Sequence, residues 1–211
     1  MTEVEKQLPA TTSTEVPSHP LITALEDPLN FNVKHPLQSE WTLWFDCPNK
    51  KTNHANWSRS LKEIVTVNTV EDFWGVHNNI TKPTELPFGA NYHLFKKGIK
   101  PMWEDPENMN GAKWHITLIH KYDDLVDDMW VNLLVAVLGE SEFVPSTEVC
   151  GVVMSVRKTA MKLALWIRSH DNKEQTDLLG QRFKEALNLP ASENLSIEFV
   201  THADAAKPDK K

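Results

Sequence analysis

Two adjacent residues, Trp103 and Glu104, carry the most pointed chemistry in the chain. They follow Pro101-Met102 and precede Asp105-Pro106, so proline on both sides restricts the backbone and holds the pair on a structured loop. An indole face stacks on a flat ring. A carboxylate offers two acceptor oxygens at a spacing that matches two adjacent donors, such as the N1-H and N2 amino group of guanine. Adenine lacks that donor pair. The same segment also describes an ordinary turn with a half-buried tryptophan and solvated acids, and a short motif alone does not separate the two.

Three further features bear on the choice. Trp57 lies in the polar stretch from Thr52 to Ser60 and reads as a loop tryptophan, one of eight indoles in the chain. A large aromatic on a polar loop forgoes burial unless a ligand covers it. From Arg157 to Arg168 the chain holds Arg157, Lys158, Lys162 and Arg168 with no acid, and alternation along the strand places Lys162, Trp166 and Arg168 outward and Leu163, Leu165 and Ile167 inward. Such a strip suits a few phosphates, although lysines on a hairpin edge also serve simply to discourage strand pairing. Together these parts fit a phosphorylated guanine nucleotide without the machinery of a GTPase: there is no GxxxxGK[ST] loop, and the chain has only seven glycines. His115, His120 and the acids between Asp123 and Asp128 follow no metal-ligand spacing and read as strand and helix-cap residues. The sequence thus calls for no metal, no cofactor and no catalytic residue.

The elements that must position these groups fit one domain, which 211 residues suffice to build. The 22 basic and 29 acidic side chains leave a net charge of -7, which opposes a broad grip on long nucleic acid and restricts any such ligand to a small or locally read one. Two cysteines, Cys47 and Cys150, without CxxC or a secretory leader, point to a reduced compartment, cytosolic or nuclear. The longest apolar run, Leu133 to Leu138, falls far short of the roughly 20 residues of a membrane span, so no membrane association is expected.

Residues 1–30 have no aromatic residue and read as a disordered arm, 31–202 as the folded domain and 203–211 as a flexible tail. Strand patterns cover Trp41 to Phe45, Leu61 to Val67, Tyr92 to Lys96, Trp114 to His120, Val149 to Val156, Lys162 to Ile167 and Leu195 to Val200. Three helices are expected: Thr69 to about Ile80, Asp123 to a C-terminal stop at Gly139, and Lys173 to Leu187. Short connections between neighbouring strands favour antiparallel pairing. The fold class is therefore α+β, a single curved antiparallel β-sheet with three helices packed on its convex face and the other face free for a ligand.

The segments His35-Pro36-Leu37-Gln38, Trp41 to Phe45, Thr69 to Trp74, Pro101 to Asp105 and Arg157 to Trp166 resemble, in order and spacing, the eukaryotic translation initiation factor 4E family, the messenger-RNA cap-binding proteins. The resemblance spans about His35 to His202. It implies that Trp57 and Trp103 sandwich the 7-methylguanine ring, that Glu104 accepts from N1-H and N2, that the Trp103 backbone N-H meets O6, and that Trp166 touches the N7 methyl group. Arg157 and Lys162 would meet the cap phosphates of 7-methylguanosine-capped mRNA. Methylation at N7 makes the base cationic, adding a cation-π contribution to stacking and strengthening N1-H as a donor.

The resemblance also implies a second surface. In the family the convex helical face takes a short amphipathic helix from the large 4G-type scaffold subunit, or from 4E-binding repressor proteins, by helix-in-groove recognition. By position this surface comprises His35, Pro36, Val70, Trp74, Val131, Asn132, Val135 and Gly139. Asn132 replaces a usual acid, and Val131 and Val135 replace common leucines. Thr159 replaces a frequent basic residue, the loop from Phe45 to Trp57 is longer than usual, and the tail lacks a serine that some members have phosphorylated. The implied function is cap-dependent initiation of translation. The alternatives are a cap-binding repressor with weakened scaffold contact, left open by Asn132, and, more distantly, a tryptophan-lined carbohydrate-binding module. Trp41, Trp44, Trp114 and Trp130 are then framework residues.

Overall fold

The computed structural model describes residues 20–47, 54–141, 143, 146–189 and 195–205. Most of the expected arm, 1–19, most of the lengthened loop, 48–53, and the tail from 206 onward lie outside them. The chain divides at Lys34/His35 into two units. In the first, Asn32 ties a turn by accepting from Ile22 N (2.7 Å) and returning its own N-H to Ile22 O (2.9 Å).

The second unit is built on seven strands: β1 (Pro36–Asp46), β2 (Lys62–Thr69), β3 (Asn91–Lys96), β4 (Ala112–Ile119), β5 (Val149–Val156), β6 (Ala160–Ile167) and β7 (Ile197–Thr201). They form one antiparallel sheet in the order β2-β1-β3-β5-β6-β4-β7. Register shifts in β1 and at the start of β5 accompany the curvature of the sheet. The helices α2 (Val70–His77), α3 (Asp123–Gly139) and α4 (Lys173–Ala186) are the three expected.

Period-two alternation divides the strands between the faces. Trp41, Leu43, Leu94, Ile116, Leu118, Val152, Met154, Leu163 and Leu165 join Trp130, Leu133, Leu134, Leu179 and Phe183 of the helices in the main core. Gly180 lets α4 approach β4 closely, since a Cβ there would fall 2.5 Å from Trp114 Cε2, and Trp114 Nε1 donates to Thr176 O at 3.0 Å. The opposite face carries a smaller cluster of Phe95, Ile99, Cys150, Val153, Ala164 and Trp166, against which Trp103 packs. Trp41 and Trp130 are fully buried, as framework residues should be.

Four local expectations change. Trp57 belongs not to a loop but to a short helix, α1 (His54–Ser60), which polar residues without apolar periodicity gave no reason to expect. A further helix, α5 (His202–Ala205), begins the expected tail. α2 ends at His77 rather than near Ile80, where Asn79 tightens the last turn with its N-H to Val76 O and its side-chain Nδ2 to Gly75 O. The left-handed residue after α3 is Glu140 (φ 56°), not Gly139. Its buried carboxylate takes Lys96 Nζ at 3.3 Å, and that pairing holds a conformation glycine would adopt more easily.

Candidate functional site

The concave face carries a cleft of about 350 Å³ whose lining includes Trp57, Trp103, Glu104, Arg157, Lys162 and Trp166. Residues from α1, the 101–110 turn and β6, far apart in sequence, thus converge on one opening.

The Trp103-Glu104 turn is built from within. Asp105 Oδ2 accepts from Lys100 N (2.9 Å) and Oδ1 from Glu107 N (3.0 Å). The fully buried Asn108 donates through Nδ2 to Lys100 O and Met102 O, both at 2.8 Å. These bonds replace regular structure in satisfying the backbone. Trp103 is half-buried and Glu104 exposed, an apolar face beside a wet carboxylate.

Trp57 is held at its edge. Its Nε1 donates to Asp46 Oδ2 at 2.9 Å, and its ring meets His93 edge-on with centroids 6.4 Å apart. Asp46, fully buried at the end of β1, also meets His93 Nε2 at 2.6 Å and accepts Asn91 Nδ2 on both oxygens, at 3.1 and 3.0 Å. Asn91 Oδ1 in turn accepts from Arg157 Nη2 at 2.9 Å. Strand β3 therefore links the Trp57 wall to the cationic end of the cleft.

That end holds three cations, of which Lys113 was not anticipated. Lys113 pairs with Trp166 across the β4–β6 ladder and shares its face. Burial, and then the neighbouring Lys162, lowers its pKa below the ordinary lysine value. His115, two residues along, is also held below its ordinary value, by burial first and then by Lys113, with Glu198 opposing. Lys113 lay one residue beyond the strand pattern recognised in the sequence and outside the Arg157–Arg168 strip, so only the strand register reveals it. Both neighbours repel further positive charge, so an entering anion gains from Lys113, Lys162 and Arg157 together.

Two expectations for β6 are revised. Trp166 does not stand free: it is 7% exposed, with Phe95 edge-on at 5.5 Å beneath it and His202 at 4.1 Å beside it. Gly151 makes this floor possible, since a Cβ there would lie 2.4 Å from the Phe95 ring. Arg168 turns away from the cleft, donating to Thr147 O and pairing with Glu107. Lys158 lends its carbonyl to His120 Nε2 at 2.7 Å, which fixes the β5–β6 turn.

The residues expected to form a second surface lie on the helical side. His35 N and Nδ1 bind the Glu71 carboxylate at 2.8 and 2.6 Å, so His35 and Pro36 border the start of α2. Val70 (38% exposed), Trp74 (37%) and Val135 (45%) remain accessible, while Phe73 is buried. Trp74 is braced by Phe73 and His77, with centroids 5.0 and 5.5 Å away. Val131 and Asn132 are half-buried and Gly139 exposed along α3.

The model of the family "Eukaryotic initiation factor 4E" matches residues 36–211. Translation initiation factor 4E-1 of Schizosaccharomyces pombe is 42% identical over 187 residues, 89% of this chain and 84% of its own. The 4E factor of Saccharomyces cerevisiae is 37% identical over 203 residues, 96% of this chain and 93% of its own. Among solved structures, Ascaris suum eIF4E-3 with m7G cap has a TM-score of 0.75 at 35% identity, covering 81% of this chain and 92% of that one. Caenorhabditis elegans eIF4E-3, in complex with the 4E-binding protein Mextli and cap analog, has a TM-score of 0.73 at 37% identity, covering 84% and 98%. The chain belongs to the eukaryotic initiation factor 4E family.

Proposed function

We propose that this protein binds the 7-methylguanosine cap at the 5′ end of mRNA and recruits a large 4G-type scaffold subunit, so that cap-dependent translation begins. The observation that carries the reading is the single cleft that joins three indoles, a carboxylate and three cations in a chain of net charge -7. Trp57 and Trp103 take the two faces of the base, Glu104 accepts N1-H and the N2 amino group, and Trp166 borders the N7 methyl group. Arg157, Lys162 and Lys113 meet the phosphates. Stacking contributes about 1 to 3 kcal/mol per base, and the positive charge of the methylated base adds about 0.5 to 2 kcal/mol more. The work is binding rather than catalysis, and its place is the cytoplasm, with a nuclear pool as a further proposal.

His35, Pro36, Val70, Trp74, Val131, Asn132, Val135 and Gly139 form the docking face for an amphipathic helix of the scaffold or of 4E-binding repressors. The cap complex of the Ascaris relative and the Mextli complex of the Caenorhabditis relative support both halves of this reading. The relatives named above are initiation factors, which favours initiation over a repressor role, and family membership displaces a carbohydrate module. The test is retention on immobilised 7-methylguanosine triphosphate. Wild type should be retained and released by free methylated analogue, and Trp103→Ala should not be retained. Release by GTP at equal concentration would overturn the reading.

A further inference from the structure

Behind the Trp57 wall of the cleft lies a buried carboxylate with an unusual set of partners. Asp46 has no exposed surface, yet its two oxygens gather the Trp57 indole N-H, the Asn91 amide and His93 Nε2, all within 2.6 to 3.1 Å. A buried anion is tolerated only where donors replace its water, and three side chains do so here. Among the described residues His93 Nδ1 has no hydrogen-bond partner, so a proton placed there would leave a buried N-H unpaired. His93 Nε2 faces the carboxylate and donates to it, and the carboxylate is held at the indole edge.

We propose that Asp46 is a specificity-determining residue that acts through Trp57: its carboxylate makes the indole face more attractive to a cationic base than to a neutral one. This inference rests on the cap-binding reading above. An N-H that donates to an anion polarises the ring it belongs to, and a ring face of greater electron density holds a cation more strongly. The charge itself attracts a cationic base across a poorly solvated wall. Neutral guanine stacks on the same indole but gains neither contribution, so the effect falls on methylated ligand alone.

Asp46 also sets the neighbouring amide. A carboxylate only accepts, so Asn91 must turn Nδ2 toward it, which leaves Oδ1 to receive Arg157 Nη2. Arg157 keeps a hold of its own, since Nη1 donates to Val156 O at 2.9 Å, so its place at the phosphates does not depend on Asp46.

The experiment compares wild type, Asp46→Asn and Asp46→Thr. The first keeps shape and loses charge; the second keeps an acceptor for Trp57 Nε1. Each is checked for fold by near-ultraviolet circular dichroism and titrated with 7-methylguanosine triphosphate and with GTP. Affinity for the methylated ligand should fall about fivefold or more while affinity for GTP stays within about twofold. Two results would overturn the proposal: an unchanged ratio of the two affinities in the variants, whether or not both fall, or loss of the fold in both. A wild type that does not discriminate would instead overturn the cap reading itself, before any variant is considered.

Discussion

The rings of Trp166 and His202 pack 4.1 Å apart at 42°, and among the described residues neither nitrogen of that histidine finds a hydrogen-bond partner. Burial, with smaller contributions from Lys113 and His170, depresses the His202 pKa from 6.5 to about 4. The folded protein therefore binds this proton less readily than the unfolded chain does. No penalty exists above pH 6.5; it grows as the pH falls and is complete below about 4. The full depression is worth about 3 kcal/mol. Melting temperatures between pH 7 and pH 4 should fall more steeply for wild type than for His202→Phe. Parallel curves would contradict the assignment.

Trp74 stands on the opposite side of the sheet from the cleft, so the two surfaces should fail separately. Trp74→Ala removes a braced, partly exposed indole from the helical face and should abolish binding of an amphipathic scaffold peptide, a loss of about 2 kcal/mol or more. Binding of 7-methylguanosine triphosphate should be unchanged. Calorimetry with each ligand checks both statements, and loss of both in a folded variant would count against two independent surfaces.

Lys113 reaches the cleft beside Lys162, where its ammonium is poorly solvated. Lys113→Ala should weaken binding of the capped triphosphate by about 1 to 3 kcal/mol, the worth of a charge-assisted hydrogen bond. The corresponding nucleoside, lacking phosphate, should bind as before. Affinities measured for nucleoside, monophosphate and triphosphate would show whether the loss follows the phosphates.

Gly180 faces the Trp114 ring so closely that a methyl group has no room. Two effects oppose each other in Gly180→Ala. The substitution favours helix by about 1 kcal/mol, whereas overpacking against an aromatic ring costs about 1 to 3 kcal/mol. Packing should prevail, giving a net loss of about 1 kcal/mol in urea denaturation. A gain in stability would show that α4 shifts freely on the sheet.

Much of the framework was legible because its signals are periodic or continuous along the chain. A nearly continuous apolar run located β5 to the residue, and the acids at Asp123 and Asp124 marked the start of α3. The helix around Trp57 was not legible, since six polar and small residues around one tryptophan carry no apolar period. Trp166 was read as outward because alternation assigns a face but does not report what covers it; α5, contributed by the last described residues, does so through His202. Lys113 and the group around Asp46 escaped for a related reason. Asp46, Asn91, His93 and Arg157 are brought together by the pairings of β1, β3 and β5, which no local pattern encodes.

The central claim is that the cleft distinguishes a methylated, cationic guanine from a neutral one. It is tested most directly by following tryptophan fluorescence while the protein is titrated with 7-methylguanosine triphosphate and, separately, with GTP. The expected result is quenching by both, with the methylated ligand bound at least about tenfold more tightly, since an added cation-π contribution of up to about 2 kcal/mol acts on it alone. Equal affinity for the two ligands would contradict the account.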